Sequence, residues 1–341
     1  MVEIDLNAIR QGDRLALTRA LTAVENDDPG SRSILKTLFP YAGKAHLVGV
    51  TGATGTGKST LVNQIAKSLR HNINDEKKPK IAIIAVDPTS PFTGGALLGD
   101  RIRMQDLAGD RGIFIRSMAS REAIGGLAHK TAAFATILDG AGFDLILIET
   151  IGAGQAEVDI ARLAHTVIVV EAPGLGDDIQ AIKAGILEIA DILVVNKADQ
   201  PGAENTARAL QVMLSMAQGD SGFQTAGKHM RKANPVTSKA RQDEKPTWEP
   251  PVLLTIATEA KGIDELVTKI HRHHTYLKAS GFWQAKEADR LQKDLEVLLQ
   301  DALWHDWQKN LDQKVYENIL ADVLHRKCTP LDAVEALLKR S

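Results

Sequence analysis

From about residue 46 onward, short runs of apolar residues alternate with longer stretches whose apolar positions recur at helical spacing. The runs are rich in Val, Ile and Leu with little polar interruption, which is typical of strands buried on both faces in a parallel sheet. Their alternation with helices predicts a doubly wound, mostly parallel α/β domain over residues 44–280. The predicted strands are His46–Val50, Ile81–Val86, Ile113–Ile115, Leu145–Ile148, Val167–Val170, Ile192–Val195 and Val252–Ile256.

Both flanks of this domain carry helical patterns. Residues 1–43 are predicted to form an N-terminal helical extension, interrupted at Asn26–Ser31. Residues 281–341 are predicted to form a C-terminal helical dimerisation arm, although packing of the same helices back onto the domain fits the pattern equally well. The apolar positions that suggest a short coiled-coil-like seam there are Ala288, Leu291, Leu295, Leu298 and Ala302.

Composition narrows the class of protein. The 341 residues are 44% hydrophobic and 25% charged, which is ordinary for a globular chain. The formal net charge of −2 argues against binding to nucleic acid. Cys328 is the only cysteine, and neither a signal peptide nor a membrane-spanning run is evident, so we expect a cytoplasmic protein with no membrane contact. The polar segment Gln218–Pro251 is predicted to be a surface loop.

The segment Gly52–Ser59 matches the phosphate-loop pattern G-x-x-x-x-G-K-[ST], between a predicted strand and a predicted helix. Glycines let backbone N–H groups point at phosphates, and the helix presents its positive end. We expect Lys58 to reach the β and γ phosphates and Ser59 to ligate Mg²⁺. The nucleotide contacts predicted here are Gly52, Ala53, Thr54, Gly55, Thr56, Gly57, Lys58, Ser59 and Thr60.

The tetrapeptide Asn196-Lys197-Ala198-Asp199 follows a predicted strand and fits the pattern N-K-x-D, which selects guanine. An Asp carboxylate accepts from both N1–H and the 2-amino group of guanine, whereas adenine has no 2-amino group. Asn196 is expected either to bond the base or to tie this loop to the phosphate loop. Lys197 is expected to cover the ring, and Ala257 to supply a further contact to the base.

Acidic residues at two further strand ends are candidate Mg²⁺ ligands and switch residues. Glu149 and Gly152 stand where many GTPases have D-x-x-G, with the acid near Mg²⁺ and the glycine near the γ-phosphate. Asp87 and Asp100 are candidates for the Mg²⁺ shell. The predicted metal ligands are Ser59, Asp87, Asp100 and Glu149, and the predicted catalytic residues are Lys58, Asp87, Asp100, Glu149 and Gly152.

Several blocks together resemble the MeaB/ArgK family, which belongs to the G3E group of SIMIBI-type P-loop GTPases and includes the bacterial relatives of human MMAA. Glu149 in place of Asp is typical of the G3E group. The resemblance covers about residues 10 to 280. The blocks that carry it are Asp87–Pro91, Leu98–Met104, Gly125–Leu127, Glu149–Glu157 and Gly176–Gly185.

The resemblance implies a homodimeric GTPase that binds GTP or GDP with Mg²⁺. It further implies a chaperone of an adenosylcobalamin-dependent acyl-CoA mutase, such as methylmalonyl-CoA mutase, that gates cofactor loading and protects or reactivates the mutase. No glutamine is evident that would position water, so we expect slow intrinsic hydrolysis that the partner stimulates. Departures from the family pattern are Thr54, Thr56, Ala156 and Ile256.

Two alternatives belong to other functional classes. One is a nucleotide-dependent kinase or ATPase linked to basic amino-acid (LAO/AO) transport, a label this family has carried. The other is a G3E metallochaperone, which would need metal ligands of the Cys/His type. The cluster His271, His273 and His274 does not share one helix face, so a packed or solvated role is favoured over metal binding. Trp283, Trp304 and Trp307 are expected to make packing or dimer contacts.

Overall fold

The computed structural model describes residues 5–71, 78–88, 104–107, 109–120, 126–150, 161–174, 188–219 and 247–338. The chain divides into two compact units, Met1–Arg290 and Leu291–Ser341. The helical extension predicted at residues 1–43 lies in the first unit and contributes to its core. Within the described ranges, no helix combines the length and apolar character needed to cross a bilayer.

Seven parallel strands form one sheet in the order β3-β2-β4-β1-β5-β6-β7. All seven predicted strands are present, and the predicted doubly wound parallel fold is confirmed. The strands are β1 His46–Thr51, β2 Ile81–Pro88, β3 Ile113–Ser120, β4 Leu145–Thr150, β5 Thr166–Glu171, β6 Ile192–Val195 and β7 Val252–Leu254.

β6 has its predicted bounds, β1 to β5 extend beyond theirs and β7 is shorter, and two of these differences have identifiable reasons. β3 continues to Ser120 because Arg116, which ends the apolar run, has a partner there. Its Nη2 atom lies 2.5 Å from Oε2 of Glu25, so a charged residue is tolerated inside the strand. β7 ends at Leu254, since Ile256 leaves the sheet to form an antiparallel bridge with Lys261.

Helices cover both faces of the sheet. One face packs against α1–α3 and α5, with Leu21, Phe134 and Ile146 in its core. The other face packs against α4 and α7, around Leu61 and Leu266. The helices of this unit are α1 Leu6–Arg10, α2 Arg14–Glu25, α3 Ser31–Leu38, α4 Lys58–His71, α5 Gly126–Gly140, α6 Ala203–Gly219 and α7 Ile263–Ser280.

The second unit is helical. α8 Phe282–Asn310 begins in the first unit and continues into the second unit. α9 Gln313–Leu324 and α10 Pro330–Leu338 follow it. Asp312 starts α9, because its side chain accepts from the N–H of Lys314 and so caps the helix. The seam residues Leu295 and Leu298 are exposed, and the role of this unit as a dimerisation arm stays a prediction.

A layer of histidines, of which His46 and His273 are buried and His274 is half-buried, lies at the amino ends of the central strands. Nε2 of His46 is 2.7 Å from Oγ1 of Thr166, which is 2.8 Å from Nδ1 of His273. Nε2 of His273 faces a carboxylate oxygen of Asp191 at 3.4 Å. His274 stacks on His46 with ring centroids 4.4 Å apart. This histidine layer (His46, His273 and His274) is therefore packed against the base of the sheet.

Burial keeps these imidazoles neutral. Desolvation lowers the pKa of His273 to about 4, although the Asp191 carboxylate opposes the shift. Desolvation also lowers the pKa of His46 well below its usual value. The unfolded chain binds these protons near pH 6.5 and the folded chain does not. Their contribution to the free energy of unfolding is therefore fully present above about pH 6.5 and is lost as the pH falls toward 4.

Replacing His273 with Gln is expected to weaken this acid sensitivity, because Gln has no proton to bind. Between pH 7 and pH 4.5 the free energy of unfolding of the wild type should fall by about 2 kcal/mol more than that of His273→Gln. Urea unfolding at the two pH values measures the difference. His71→Gln, at an exposed histidine, is the matched control. Its free energy of unfolding should fall as much as that of the wild type between the two pH values. Equal losses in all three chains would contradict the assignment of the acid sensitivity to His273.

Candidate functional site

The carboxyl ends of β1 and β4 lie side by side at the centre of the sheet. Val50 is level with Glu149 in the parallel register, and the Oγ1 atoms of Thr51 and Thr150 are 3.1 Å apart. Helix α4 begins at Lys58, directly after the loop that follows β1. Open parallel sheets bind ligands outside the carboxyl ends of their strands, where the chain connections diverge. This edge is therefore the candidate site.

The phosphate loop needs glycine where it passes its neighbours. At Gly52, with φ of 138°, a Cβ atom would lie 2.0 Å from the carbonyl oxygen of Val170. At Gly57, with φ of 91°, it would lie 2.4 Å from Nδ2 of Asn196. At Gly55, a Cβ would meet nothing within 4 Å. Close neighbours thus exclude a side chain at the outer two glycines. Gly55, with φ of 83°, favours glycine through its backbone conformation alone and borders open space of the kind a phosphate group would occupy.

Lys58 is buried at the start of α4. Its Nζ atom donates to the carbonyl oxygens of Gly52 and Ala53, both at 2.8 Å. Thr56 tightens the same loop, because its hydroxyl donates to the Ala53 carbonyl at 3.0 Å. The ammonium group and the positive end of α4 therefore lie within one loop, which is the charge arrangement that anions favour.

Ser59 and Glu149 meet behind the phosphate loop. The Ser59 hydroxyl donates to Oε1 of Glu149 at 2.5 Å, and both side chains are buried. Asp87 lies on β2, two residues beyond the position level with Glu149. A hydroxyl and a carboxylate oxygen are ligands of the type that Mg²⁺ prefers. Two of the four predicted metal ligands are thus brought together.

One side chain joins three loops at this edge. Nδ2 of Asn196 donates to the carbonyl oxygen of Thr56 in the phosphate loop, at 2.8 Å. Its Oδ1 accepts from the Thr255 hydroxyl at 3.1 Å and from the Ala257 N–H at 3.0 Å. Asn196 is buried, so these bonds form away from water. Of its two predicted roles, the structure shows the tie between loops.

The N-K-x-D loop continues from Asn196 toward solvent. Lys197 has a left-handed backbone, with φ of 57°, and Ala198 donates to the Thr255 carbonyl at 3.0 Å. Asp199 is exposed at the end of the loop. The Ala257 N–H is bonded to Asn196, so its predicted contact with the base stays a prediction.

Sequence reasoning did not identify Thr255 or Val170 as parts of the site. Thr255 stands just before the Ile256-Ala257 pair in the loop that follows β7, which is the third loop of the site. Its hydroxyl was the one sequence feature that could have indicated a polar contact there. Nothing in the sequence signals the approach of the Val170 carbonyl to Gly52, because it depends on the packing of β5 beside β1.

Some predicted site residues lie outside the described residues. They are Asp100, Gly152 and the side chain of Asp87. Most of three segments also lies outside, and these are the segments we expect to act as switches that report the γ-phosphate to a partner: Asp87–Met104, Glu149–Glu157 and Gly174–Lys183. Their roles stay predictions.

The comparison with known proteins identifies the family. A family profile described as "Methylmalonyl Co-A mutase-associated GTPase MeaB" matches residues 17–312. The chain belongs to the MeaB family. It is 40% identical to the Pyrococcus horikoshii protein named "Putative GTPase PH0274" over 335 residues, covering 98% of this chain and 96% of the relative. It is 33% identical to "GTPase ArgK" of Escherichia coli, covering 97% of this chain and 94% of ArgK.

More distant relatives extend the same family. The "Methylmalonic aciduria type A homolog, mitochondrial" of Caenorhabditis briggsae is 27% identical, covering 97% of this chain and 81% of the relative. A solved structure named "Crystal structure of LAO/AO transport system kinase" superposes with a TM-score of 0.68 at 27% identity, covering 98% of this chain and 95% of that one. The suspected MeaB/ArgK resemblance is thus confirmed, and membership in this GTPase family implies binding of a guanine nucleotide.

Asn196→Ala is expected to weaken binding of guanine nucleotide to this MeaB-family chain by at least about tenfold. The change leaves the Thr56 carbonyl, the Thr255 hydroxyl and the Ala257 N–H without their partner, and each such loss costs about 1–3 kcal/mol. Titration with a fluorescent GDP analogue measures it. Asn205→Ala, at an exposed asparagine on α6, should bind like the wild type. Unchanged affinity in Asn196→Ala would contradict the bridging role.

Proposed function

We propose that this chain is a GTP-hydrolysing chaperone of an adenosylcobalamin-dependent acyl-CoA mutase. The observation that supports nucleotide binding most directly is the Asn196 bridge, because it fixes the base loop, the phosphate loop and the third loop relative to one another. A ligand that touches all three loops would find its contacts already arranged.

Guanine is the base that the loop chemistry favours. Asp199 is exposed at the end of the N-K-x-D loop, where its carboxylate can accept from N1–H and the 2-amino group of guanine. N1 of adenine is itself an acceptor and would repel the carboxylate. Lys197, whose backbone is left-handed, is proposed to cover the ring with its aliphatic stem.

The phosphates and Mg²⁺ fit the phosphate loop and its surroundings. The open space at Gly55 offers room for phosphate groups, and Lys58 supplies positive charge there. The oxygen donors of Ser59 and Glu149 fit Mg²⁺, with Asp87 and Asp100 as further proposed ligands. Bound Mg²⁺ would neutralise charge that develops on the phosphates. Gly152 is proposed to sense the γ-phosphate.

Asp199→Asn is expected to change the base specificity of nucleotide binding from guanine to xanthine. An amide N–H donates to the 2-oxo group of xanthine, whereas it repels the 2-amino group of guanine. GTP affinity should fall by about 10- to 100-fold, and XTP affinity should rise. Competition titrations of GTP, XTP and ATP measure both. Asp28→Asn, at an exposed residue on another loop, should behave like the wild type. Tighter binding of ATP than of GTP by the wild type would overturn the assignment of the base.

The mutase partner is proposed from the relatives. The matching family is described as methylmalonyl Co-A mutase-associated, and one relative is named for methylmalonic aciduria. Hydrolysis by the chain alone is proposed to be slow, with the partner ordering the switch segments. The proposed role is to gate loading of adenosylcobalamin and to protect or reactivate the mutase.

GTP turnover in the presence of purified methylmalonyl-CoA mutase should exceed turnover by the chain alone by about 10-fold or more, because positioning supplied by a partner lowers the barrier. Phosphate release at saturating GTP measures it, and the chain with an acyl-CoA dehydrogenase in place of the mutase is the control. Lys58→Ala should abolish turnover in both mixtures. If no acyl-CoA mutase binds the chain and none stimulates its turnover, this function is excluded.

A different activity is suggested by the similar solved structure, which is named as an LAO/AO transport system kinase. Transfer of phosphate to a protein of the transport system, measured with labelled ATP and GTP, distinguishes this alternative. A titration with nickel or zinc in the absence of nucleotide distinguishes the third function, that of a metallochaperone.

The chain is also proposed to form a homodimer through its second unit. α8–α10 expose large apolar side chains, and Leu295, Leu303 and Leu324 are 66%, 61% and 73% accessible. These helices also line an apolar groove of about 910 Å³ that includes Trp304 and Leu337. Exposed apolar surface of this kind marks interfaces, and the family resemblance points to a second copy as its occupant.

Leu295→Glu combined with Leu303→Glu is expected to convert a dimer into a monomer, because charges would be buried in the interface. Sedimentation equilibrium gives the mass directly. Gln308→Glu, at an exposed position of the same helix outside the groove, should leave the dimer intact. A wild-type chain that is monomeric at micromolar concentration would refute the proposal.

A further inference from the structure

A cavity of about 400 Å³ lies in the first unit, at the edge of the sheet opposite the phosphate loop. Its walls come from the end of α1, the turn that leads into β1, the turn between α5 and β4, and α7. Lys44 stands just before β1, whereas Gly52 directly follows it. At about 3.3 Å per residue, the strand separates the two places by about 20 Å. The cavity is therefore distinct from the proposed nucleotide site.

Three cations line this cavity: Arg10, Lys44 and Lys278. In the part of the chain that the structure describes, none of the three forms an ion pair with a carboxylate. Arg10 instead stacks on Tyr41, with 3.6 Å between Cζ and the ring centroid. Nζ of Lys278 lies 5.0 Å from the ring centroid of Trp283. A stacked guanidinium keeps its N–H edge available to a ligand.

The two carboxylates in the same walls are already bonded to backbone groups. Asp139 is buried and accepts from the N–H groups of residues 43–45, at distances of 2.6 to 3.2 Å. Burial raises the pKa of Asp139, although these bonds oppose the shift. Asp144 is exposed and accepts from the N–H of Lys80 at 2.8 Å. Asp139 thus bonds the turn that leads into β1, and Asp144 bonds the residue just before β2.

We propose that this basic cavity binds a small-molecule anion of the phosphate or carboxylate class through Arg10, Lys44 and Lys278. The positive charges of the three side chains attract an anion. The volume lies within the range of small-molecule sites. His274 also lines the wall and, stacked on His46, adds a polar ring to it. This site goes beyond the proposed GTPase function and does not depend on it.

The test is isothermal titration of the full chain carrying Lys58→Ala, which removes phosphate binding at the phosphate loop. The probes are inorganic phosphate, glycerol 3-phosphate and succinate at fixed ionic strength. At least one probe is expected to bind. Adding Lys44→Glu or Lys278→Glu should weaken that binding at least tenfold, since each reverses a charge in the wall. The probe that binds best distinguishes a phosphate ligand from a carboxylate.

Lys36→Glu is the matched control, because it makes the same charge change at an exposed helical lysine outside the cavity. It should leave binding unchanged. Lys278→Gln, which removes the charge without reversing it, should give an intermediate loss and serves if a Glu variant fails to fold. Equal affinities in the Lys278→Gln and Lys36→Glu chains would overturn the proposal. So would the absence of binding by all three probes at millimolar concentration.

Discussion

The side-chain amide of Asn196 holds the candidate site together, because it uses both its donor and its acceptor on loops far apart in sequence. Thr56 belongs to the phosphate loop, whereas Thr255 and Ala257 follow the last strand. A buried amide bonded through both its nitrogen and its oxygen resists displacement, since any movement would leave polar groups without partners. The same contact explains why Gly57 carries no side chain, because a Cβ atom there would lie only 2.4 Å from Nδ2 of Asn196.

The parallel sheet supplies the frame in which this contact can form. In a parallel sheet, the carboxyl ends of all strands meet at one edge, so loops after β1, β4, β6 and β7 gather there. The opposite edge has a different chemistry. There the imidazoles of the histidine layer are neutral, and Arg10, Lys44 and Lys278 line the basic cavity. One sheet therefore carries two polar edges, of which the proposed GTPase function uses only one.

Much of this arrangement could be predicted from the sequence, because each strand is a nearly unbroken apolar run and each loop motif has a fixed pattern. The phosphate loop and Asn196–Asp199 are local signals of this kind. Contacts between distant segments leave no such signal. The Arg116–Glu25 pair extends β3, and the Thr255 hydroxyl completes the Asn196 bridge, yet both depend on how elements pack. In the sequence, such a polar residue indicates that the apolar run of a strand has ended, because the partner that allows its burial lies far away along the chain.

A double-mutant cycle on Asn196 and Thr255 tests the central claim, that one amide fixes the base loop against its neighbours. Affinity for GDP is measured for Asn196→Ala, Thr255→Val and the double variant. Non-additive losses are expected, with the double variant little weaker than Asn196→Ala alone and a coupling of about 1 kcal/mol. Additive losses would contradict the claim, because they would mean that the two side chains act on the nucleotide site independently.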